Sequence, residues 1–277
     1  MSKRANDDSM SFLDHIEELR WHLIRSVIVI LVFAIVAFIF RSFIFDSVIL
    51  APKKADFVTN RLLCEFGHSV GTEALCINQK SFQIINIKLS GQLMTHITVS
   101  FIVGFLVAFP WIFFEFWRFI KPALNRREIK HSRGTVFFTS ILFTTGALFG
   151  YYIITPLSVY FLGTYTVSAD VTNQITLSSY IQTITSVTLA SGVVFELPIF
   201  ILFLSKIGLV TPQFLKKYRK HAIVVILTLS AIITPPDIFS QVLVALPLGV
   251  LYEVGIIISR KVHKKKEAAE SKDIVLT

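Results

Sequence analysis

Several carboxylates stand at unexpected places in this 277-residue chain, whose formal net charge is +9. In the stretch HIEELR, residues 15–20, Glu18 lies one helical turn from both Asp14 and His22, so the three side chains share a helix face. Glu128 is an acid within the basic stretch ALNRREIKHSR. Two carboxylates converging on a basic surface would select a compact cation, best a guanidinium with its bidentate fork. A solvated helix face and ordinary ion pairing are the alternatives.

Further acids fall within or beside long apolar runs. A carboxylate in hydrocarbon is costly, so it normally faces protein, water or a partner. Glu196 is the most informative, because it lies well inside a run and close to Pro198. It is either a neutral, hydrogen-bonded acid or a group for proton transport or contact with a partner helix. Glu115 and Glu253 lie nearer the ends of their runs, and Asp237 in the turn TPPD suits a helix N-cap.

Both cysteines of the chain, Cys64 and Cys76, fall in one polar segment between apolar runs. A disulfide is expected if that segment faces an oxidising compartment. It would close a loop of about a dozen residues and contribute about 2–3 kcal/mol. Two free thiols are the alternative. A zinc site is not expected, because only His68 lies nearby.

Motifs for catalysis are missing from the sequence. It contains no G-x-x-x-x-G-K-[ST] phosphate loop, no Cys/His cluster for a metal and no G-x-S-x-G elbow. The apolar runs hold isolated acids rather than a nucleophile–base pair or paired aspartates. We therefore expect a protein that is not an enzyme and that needs no cofactor or metal.

The elements that must position these residues are membrane helices. Hydrophobic residues make up 53% of the chain and charged residues 16%. Such a composition is typical of an all-α integral membrane protein. The fifth apolar run is short, since twelve residues rise only about 18 Å against a hydrocarbon core of about 30 Å. Six spans are predicted, at about 23–40, 93–119, 135–157, 180–204, 222–233 and 238–258.

The basic residues predict the orientation of those spans. Lys and Arg cluster after the second and fourth runs and in the tail, whereas residues 153–179 contain neither. The positive-inside rule then places both termini in the cytoplasm and the segment of about 46–90 outside. We expect one transmembrane domain, residues 1–262, followed by a mobile tail, 263–277, with no removable signal peptide at the start. Because the cations flank apolar runs, a membrane surface is favoured over nucleic acid.

Prolines occur in four of the predicted spans and suggest kinked helices around a concave face. They are Pro110, Pro156, Pro198 and Pro247.

Four stretches together resemble the TatC family, the multispanning subunit of the twin-arginine (Tat) protein translocase. They are HIEELRWHLIR at 15–25, FPWIFFEFWRFIKPALNRREIK at 109–130, SGVVFELPIF at 191–200 and ITPPDIFSQVLVALPLGVLYEVG at 233–255. The resemblance implies six spans with the N-terminus inside and two short last helices. It also implies a receptor for signal peptides with paired arginines in the bacterial inner membrane. Such a receptor would assemble as an oligomer with small single-span TatA/TatB-like subunits and export folded proteins using the proton-motive force.

The same resemblance implies roles for individual residues. Glu18 and Glu128 match the acids that recognise the arginine pair, and Arg20 and Lys130 match basic residues of the same motifs. Departures occur at His22, where a basic residue is common, at Lys130, where arginine is common, and at Glu115, where a neutral amide is common. Glu115 would be either a third acid or a packing residue. Further matching positions are Pro52, Phe119, Glu196, Asp237 and Gln241.

Two other functions fit the residues alone. One is a proton-coupled small-solute transporter with Glu196 as its relay. The other is a structural membrane scaffold, which would tolerate loss of every acid named above.

Overall fold

The computed structural model describes residues 12–73, 75–79, 82–120, 132–168, 170–171, 173–234 and 238–275. The described regular structure is helical apart from one parallel pairing of two-residue strands, β1 (Ile84–Ile85) and β2 (Ile175–Thr176). The predicted all-α class is therefore confirmed.

Ten α-helices follow one another along the described chain. They are α1 (Phe12–Ile39), α2 (Val58–Val70), α3 (Gly91–Ile120), α4 (Ser132–Phe149), α5 (Thr155–Thr164), α6 (Leu177–Phe195), α7 (Leu197–Lys206), α8 (Pro212–Lys217), α9 (Arg219–Ile233) and α10 (Ile238–Val275). A 3₁₀ turn covers Ala51–Lys53, and π-helical turns cover Phe43–Ile49 and Gly150–Ile154.

Five helical stretches are long and apolar enough to cross a membrane, and they match five of the six predicted runs. Helix α9 has 15 residues. It rises about 22 Å, less than the thickness of a hydrocarbon core. Six crossings and the orientation of the termini remain predictions. The five stretches are Ile16–Ile39, Gly91–Ile120, Gly134–Thr164, Leu177–Lys206 and Gln241–Lys264.

The chain divides into two compact units, residues 1–39 with 100–140 and residues 40–99 with 141–277. In the first unit, α1 and α3 approach closely at Gly104. A methyl group there would lie 2.7 Å from the backbone nitrogen of Ala34 and 2.9 Å from the carbonyl oxygen of Ile30. Small residues allow such approaches between membrane helices, whose contact depends on packing and polar bonds.

Helix α1 buries part of the face that its sequence pattern marks as polar. His22 is only 6% exposed, whereas the apolar side chains Ile16, Leu19 and Leu23 are exposed. A soluble amphipathic helix would do the opposite. The difference follows from the solvent, because apolar side chains can face lipid while ionisable groups need protein partners.

The core of the second unit lies where α6, α9 and α10 meet. Helix α6 packs tightly against the end of α4 and the π turn after it. Gly146 and Gly150, which have no side chain, allow this close approach to Ser191. Glu196 separates α6 from α7, and Pro198 lies in the first turn of α7. The buried core side chains are Ile154, Val187, Phe195, Ile226, Val244 and Leu248.

Pro156 disturbs the hydrogen bonds of the preceding helix in a defined way. It has no N–H to donate to the carbonyl of Tyr152, four residues earlier. That carbonyl accepts a hydrogen bond from the hydroxyl of Thr59 in α2 instead. The hydroxyl of Thr155 donates to the carbonyl of Gly150 at 2.9 Å. The Tyr152 carbonyl, which Pro156 leaves without its helical donor, therefore has a partner, as a membrane segment requires.

The segment predicted as an external loop is folded. It contains α2, which the sequence reading missed, and the structure joins Cys64 to Cys76 by a disulfide. Asn78 donates hydrogen bonds to the carbonyls of Pro52 (3.4 Å) and Pro156 (3.1 Å). Buried Asn60 donates to the same Pro52 carbonyl at 3.1 Å. Asn78 thus attaches the segment to the start of α5, and Asn60 holds the segment together internally.

The prolines take two kinds of position. Pro110 and Pro247 lie inside α3 and α10, whereas Pro156 and Pro198 stand near the starts of α5 and α7. The concave face that we expect from kinked helices remains a prediction. The division into residues 1–262 and a mobile tail likewise remains a prediction; α10 continues to Val275 and so includes most of that tail.

Candidate functional site

The first unit holds a buried pair of ionisable side chains. The His22 ring of α1 and the Glu115 carboxylate of α3 meet with 2.5 Å between Nδ1 and Oε2. Glu115 is 2% exposed, so the pair is shielded from the surroundings. This bond joins α1 to α3 between two buried side chains, so it holds the two helices in a defined orientation at His22 and Glu115.

Glu18 lies one turn before His22 on α1. Its Oε1 is 3.8 Å from His22 Nε2, too long for a hydrogen bond but short enough for an ion pair with a protonated ring. Its side chain is 36% exposed. Its Oε2 is itself buried and has no hydrogen-bond partner among the described residues. Glu18 therefore lies at the edge of the site, where the exposed part of its side chain can meet a ligand.

Cationic and aromatic groups surround these acids. Arg25 is about half exposed, and its Nη1 is 3.9 Å from Glu115 Oε2. The Phe119 ring lies edge-on to the His22 ring, with centroids 6.1 Å apart. Arg20 is exposed. The arrangement can accept a cationic group at Glu18, whereas Glu115 is already occupied by its partners.

Part of the predicted site lies outside the described residues. Glu128, Lys130 and Asp237 belong to this part. The structure brings Glu18, Glu115 and Phe119 together around His22, and the convergence of Glu128 on Glu18 remains a prediction.

In the second unit, Glu196 stands at the break between α6 and α7, within the candidate span Leu177–Lys206. Both of its carboxylate oxygens are covered by protein, and neither has a partner at hydrogen-bond distance among the described residues. The main chain at Phe143 lies near enough to act on the carboxylate electrostatically. A charged carboxylate enclosed in this way lacks hydrogen bonds to offset its loss of water. This supports a role in which Glu196 binds a proton or contacts a polar group of another helix.

The other predicted site residues have ordinary surroundings. Gln241 donates a hydrogen bond to the carbonyl of Leu227 at 3.1 Å. Pro52 is fully buried, and its carbonyl accepts from the two amides described above. Next to it, burial lowers the pKa of the Lys53 ammonium group, and the charge of Lys54 lowers it further. His68 Nε2 lies 3.8 Å and 3.6 Å from the two sulfurs of the disulfide.

Sequence reasoning placed His22 on the helix face of Glu18 and Glu115 near the end of an apolar run, but it did not pair the two. They are 93 positions apart, and no local pattern links them. It also missed Asn60 and Asn78. The positive φ of Asn78, 55°, suits an asparagine in the left-handed region, but one asparagine in a polar segment is not a signal by itself.

Comparison with known proteins gives one consistent result. Residues 14–247 match the family model of the Sec-independent protein translocase protein TatC. The chain is 42% identical over 261 residues to TatC of a Blattabacterium from Periplaneta americana, covering 94% of this chain and 98% of that protein. It is 36% identical over 257 residues to TatC of Campylobacter jejuni, covering 93% and 96%.

The fold agrees with this match. A crystal structure of the twin-arginine translocase receptor TatC superposes with a TM-score of 0.67 at 32% identity, covering 90% of this chain and 99% of that one. The helical architecture and the sequence motifs thus point to the same group of proteins.

Proposed function

Since the chain belongs to the TatC family of Sec-independent protein translocase proteins, we propose that it is the receptor subunit that binds twin-arginine signal peptides. Relatives of this kind are membrane protein-transport subunits, so the prediction that the chain is not an enzyme is confirmed. The observation that carries the receptor proposal is Glu18, whose carboxylate lies at the edge of the buried His22–Glu115 pair with 36% of its side chain exposed.

The chemistry of arginine fits that carboxylate. A guanidinium donates two parallel N–H bonds to the two oxygens of one carboxylate, and charge-assisted bonds are about twice as strong as neutral ones. A twin-arginine motif offers two guanidinium groups. Glu18 receives one, and Glu128, by its position in the family motif, receives the other. Arg20, Lys130, Phe119 and Pro52 complete the proposed signal-peptide site through the same motifs.

The topology proposed for the receptor has six crossings with both termini in the cytoplasm of a bacterium, in its inner membrane. The distribution of Lys and Arg along the chain supports this orientation. With α9 as a crossing, the bilayer would thin locally, or flanking polar residues would extend the span.

We further propose that polar groups at membrane depth contact the single-span TatA/TatB-like subunits. Glu196 carries this proposal, because its enclosed carboxylate gains a partner when a polar side chain from another helix approaches. Gln241 and Asp237 are included through the family motif. In the assembled oligomer, the proton-motive force drives export of folded cargo.

Peptide binding to two neighbouring acids tests the receptor site. Glu18→Gln should weaken a twin-arginine peptide about tenfold to a hundredfold, because a hydrogen bond to a charged group contributes about 1.5–3 kcal/mol. Glu17→Gln is the matched control, since Glu17 is exposed and projects about 100° away around the helix. Titration of the purified protein in detergent with labelled peptide gives both affinities. Equal affinities for the two variants would rule out Glu18 as the acceptor.

Vesicles that contain only the purified chain distinguish the solute-transporter alternative, which also uses Glu196. The receptor proposal predicts no solute flux when a pH gradient is imposed. Flux that disappears in Glu196→Gln would favour the transporter instead.

A further inference from the structure

The buried His22–Glu115 pair does more than hold two helices together. Its second ring nitrogen faces Glu18, so the imidazole lies between two carboxylates, 2.5 Å from one and 3.8 Å from the other. We propose that Glu115 and His22 are positioning residues for the arginine site: Glu115 fixes the ring of His22, and His22 fixes the Glu18 carboxylate. This inference rests on the proposed receptor function and names two residues that act at its site.

The burial of the two acids shows which of them can meet a ligand and which can only support it. Glu115 is 2% exposed and its Oε2 is already bonded to the ring, so a peptide cannot reach it without breaking a buried pair. Glu18 is the outer member, with 36% of its side chain exposed. The chain of contacts therefore runs from a fully enclosed acid, through a histidine, to the acid that can meet a ligand.

Histidine suits the middle position because its two nitrogens are distinct. A hydrogen bond between Nδ1 and Glu115 fixes the ring plane and brings Nε2 to the side of Glu18. The edge-on Phe119 ring also restricts rotation of the His22 ring. Outer partners orient ligating histidines at metal sites in the same way, and their removal typically costs about tenfold to a hundredfold in affinity.

A fixed carboxylate has a consequence for selectivity. The guanidinium fork gains its second bond only when both oxygens of Glu18 lie in the required plane, whereas the ammonium of lysine interacts as a point charge. Loss of positioning should therefore reduce the preference for arginine over lysine as well as the affinity. A variant that is merely misfolded would instead bind the arginine and the lysine peptide more weakly by the same factor.

The test measures peptides with paired arginines or paired lysines on four proteins: the original chain, Glu115→Gln, Glu18→Gln and the double variant. Glutamine keeps a carbonyl oxygen that can accept from His22, so the buried ring retains a partner. We expect Glu115→Gln to weaken the arginine peptide about tenfold and the lysine peptide by less than about twofold. In the Glu18→Gln background, the same substitution should change neither affinity.

A second variant keeps the proposal testable if Glu115→Gln does not fold. His22→Asn retains an N–H near the position of Nδ1 for Glu115 but has no atom that approaches Glu18. We expect the same loss of preference for arginine. Glu17→Gln is again the control with unchanged binding.

The outcomes separate this inference from the receptor proposal. An unchanged affinity in Glu18→Gln would overturn the receptor site itself. Weak binding in Glu18→Gln with full affinity and preference in both Glu115→Gln and His22→Asn would overturn only the positioning role. Equal losses from Glu115→Gln with and without Glu18 would also overturn it, because Glu115 would then act independently of Glu18.

Discussion

Replacement of Gly104 by alanine tests how closely α1 and α3 pack. The added methyl group would lie 2.7 Å and 2.9 Å from the nitrogen and Cα of Ala34. These neighbours are backbone atoms, so no side chain can rotate out of the way. To reach an ordinary contact of 3.4 Å, the two helices must separate by about 0.7 Å.

The expected cost follows from overpacking in other well-packed interiors, about 1–3 kcal/mol. For a chain of this size, each kcal/mol lowers the melting temperature by about 2–4 °C, so we expect a decrease of about 2–12 °C. Thermal unfolding of the detergent-solubilised protein, followed by loss of helical circular dichroism, measures the change.

Gly249→Ala is the matched control, because a methyl group there has no neighbour within 4 Å. Gly249 lies inside α10, where alanine is favoured over glycine by up to about 1 kcal/mol, so this variant should melt at the same temperature or slightly higher. Equal melting temperatures for the two variants would show that the backbones of α1 and α3 are not in contact at Gly104.

Two more predictions concern the folded segment between the first two candidate spans. Asn78→Ala removes the amide that donates to the carbonyls of Pro52 and Pro156, and the loss of these buried hydrogen bonds should cost about 0.5–1.5 kcal/mol; limited proteolysis should cut this segment several times faster, and an unchanged rate would contradict the role of the amide. Reduction of the Cys64–Cys76 disulfide, or Cys64→Ser, should lower stability by about 2–3 kcal/mol in the chain-entropy model. A melting curve that is identical with and without reductant would exclude that contribution.

Helix positions were the most predictable part of the fold. The second predicted run, 93–119, corresponds to Gly91–Ile120, and the fifth, 222–233, lies within Arg219–Ile233. The agreement has a physical cause, since a backbone in hydrocarbon must satisfy its own hydrogen bonds, so a long apolar run has little choice but to form a helix. In a polar segment, water can satisfy the backbone instead, so hydrophobicity gives no such signal. For this reason α2 was not predicted.

The candidate site was predictable only in part. The family motif selected Glu18 from two adjacent glutamates, and helical geometry separated it from Glu17. Composition could not decide the surroundings of Glu18. The sequence placed His22 on the same helix face as Glu18 but did not predict its burial, because a sequence pattern gives the faces of a helix but not which of them meets another helix.

The sequence by itself thus determined the class of protein, its apolar helices and the family to which it belongs, because each of these depends on residues close together along the chain. Tertiary structure alone decided that His22 meets Glu115 across 93 positions and that Asn78 reaches Pro156 across 78. Such contacts depend on how helices cross and on which polar groups are left without local partners. For this reason, Glu115, an isolated acid in the sequence, became one end of a buried chain of contacts that leads to Glu18.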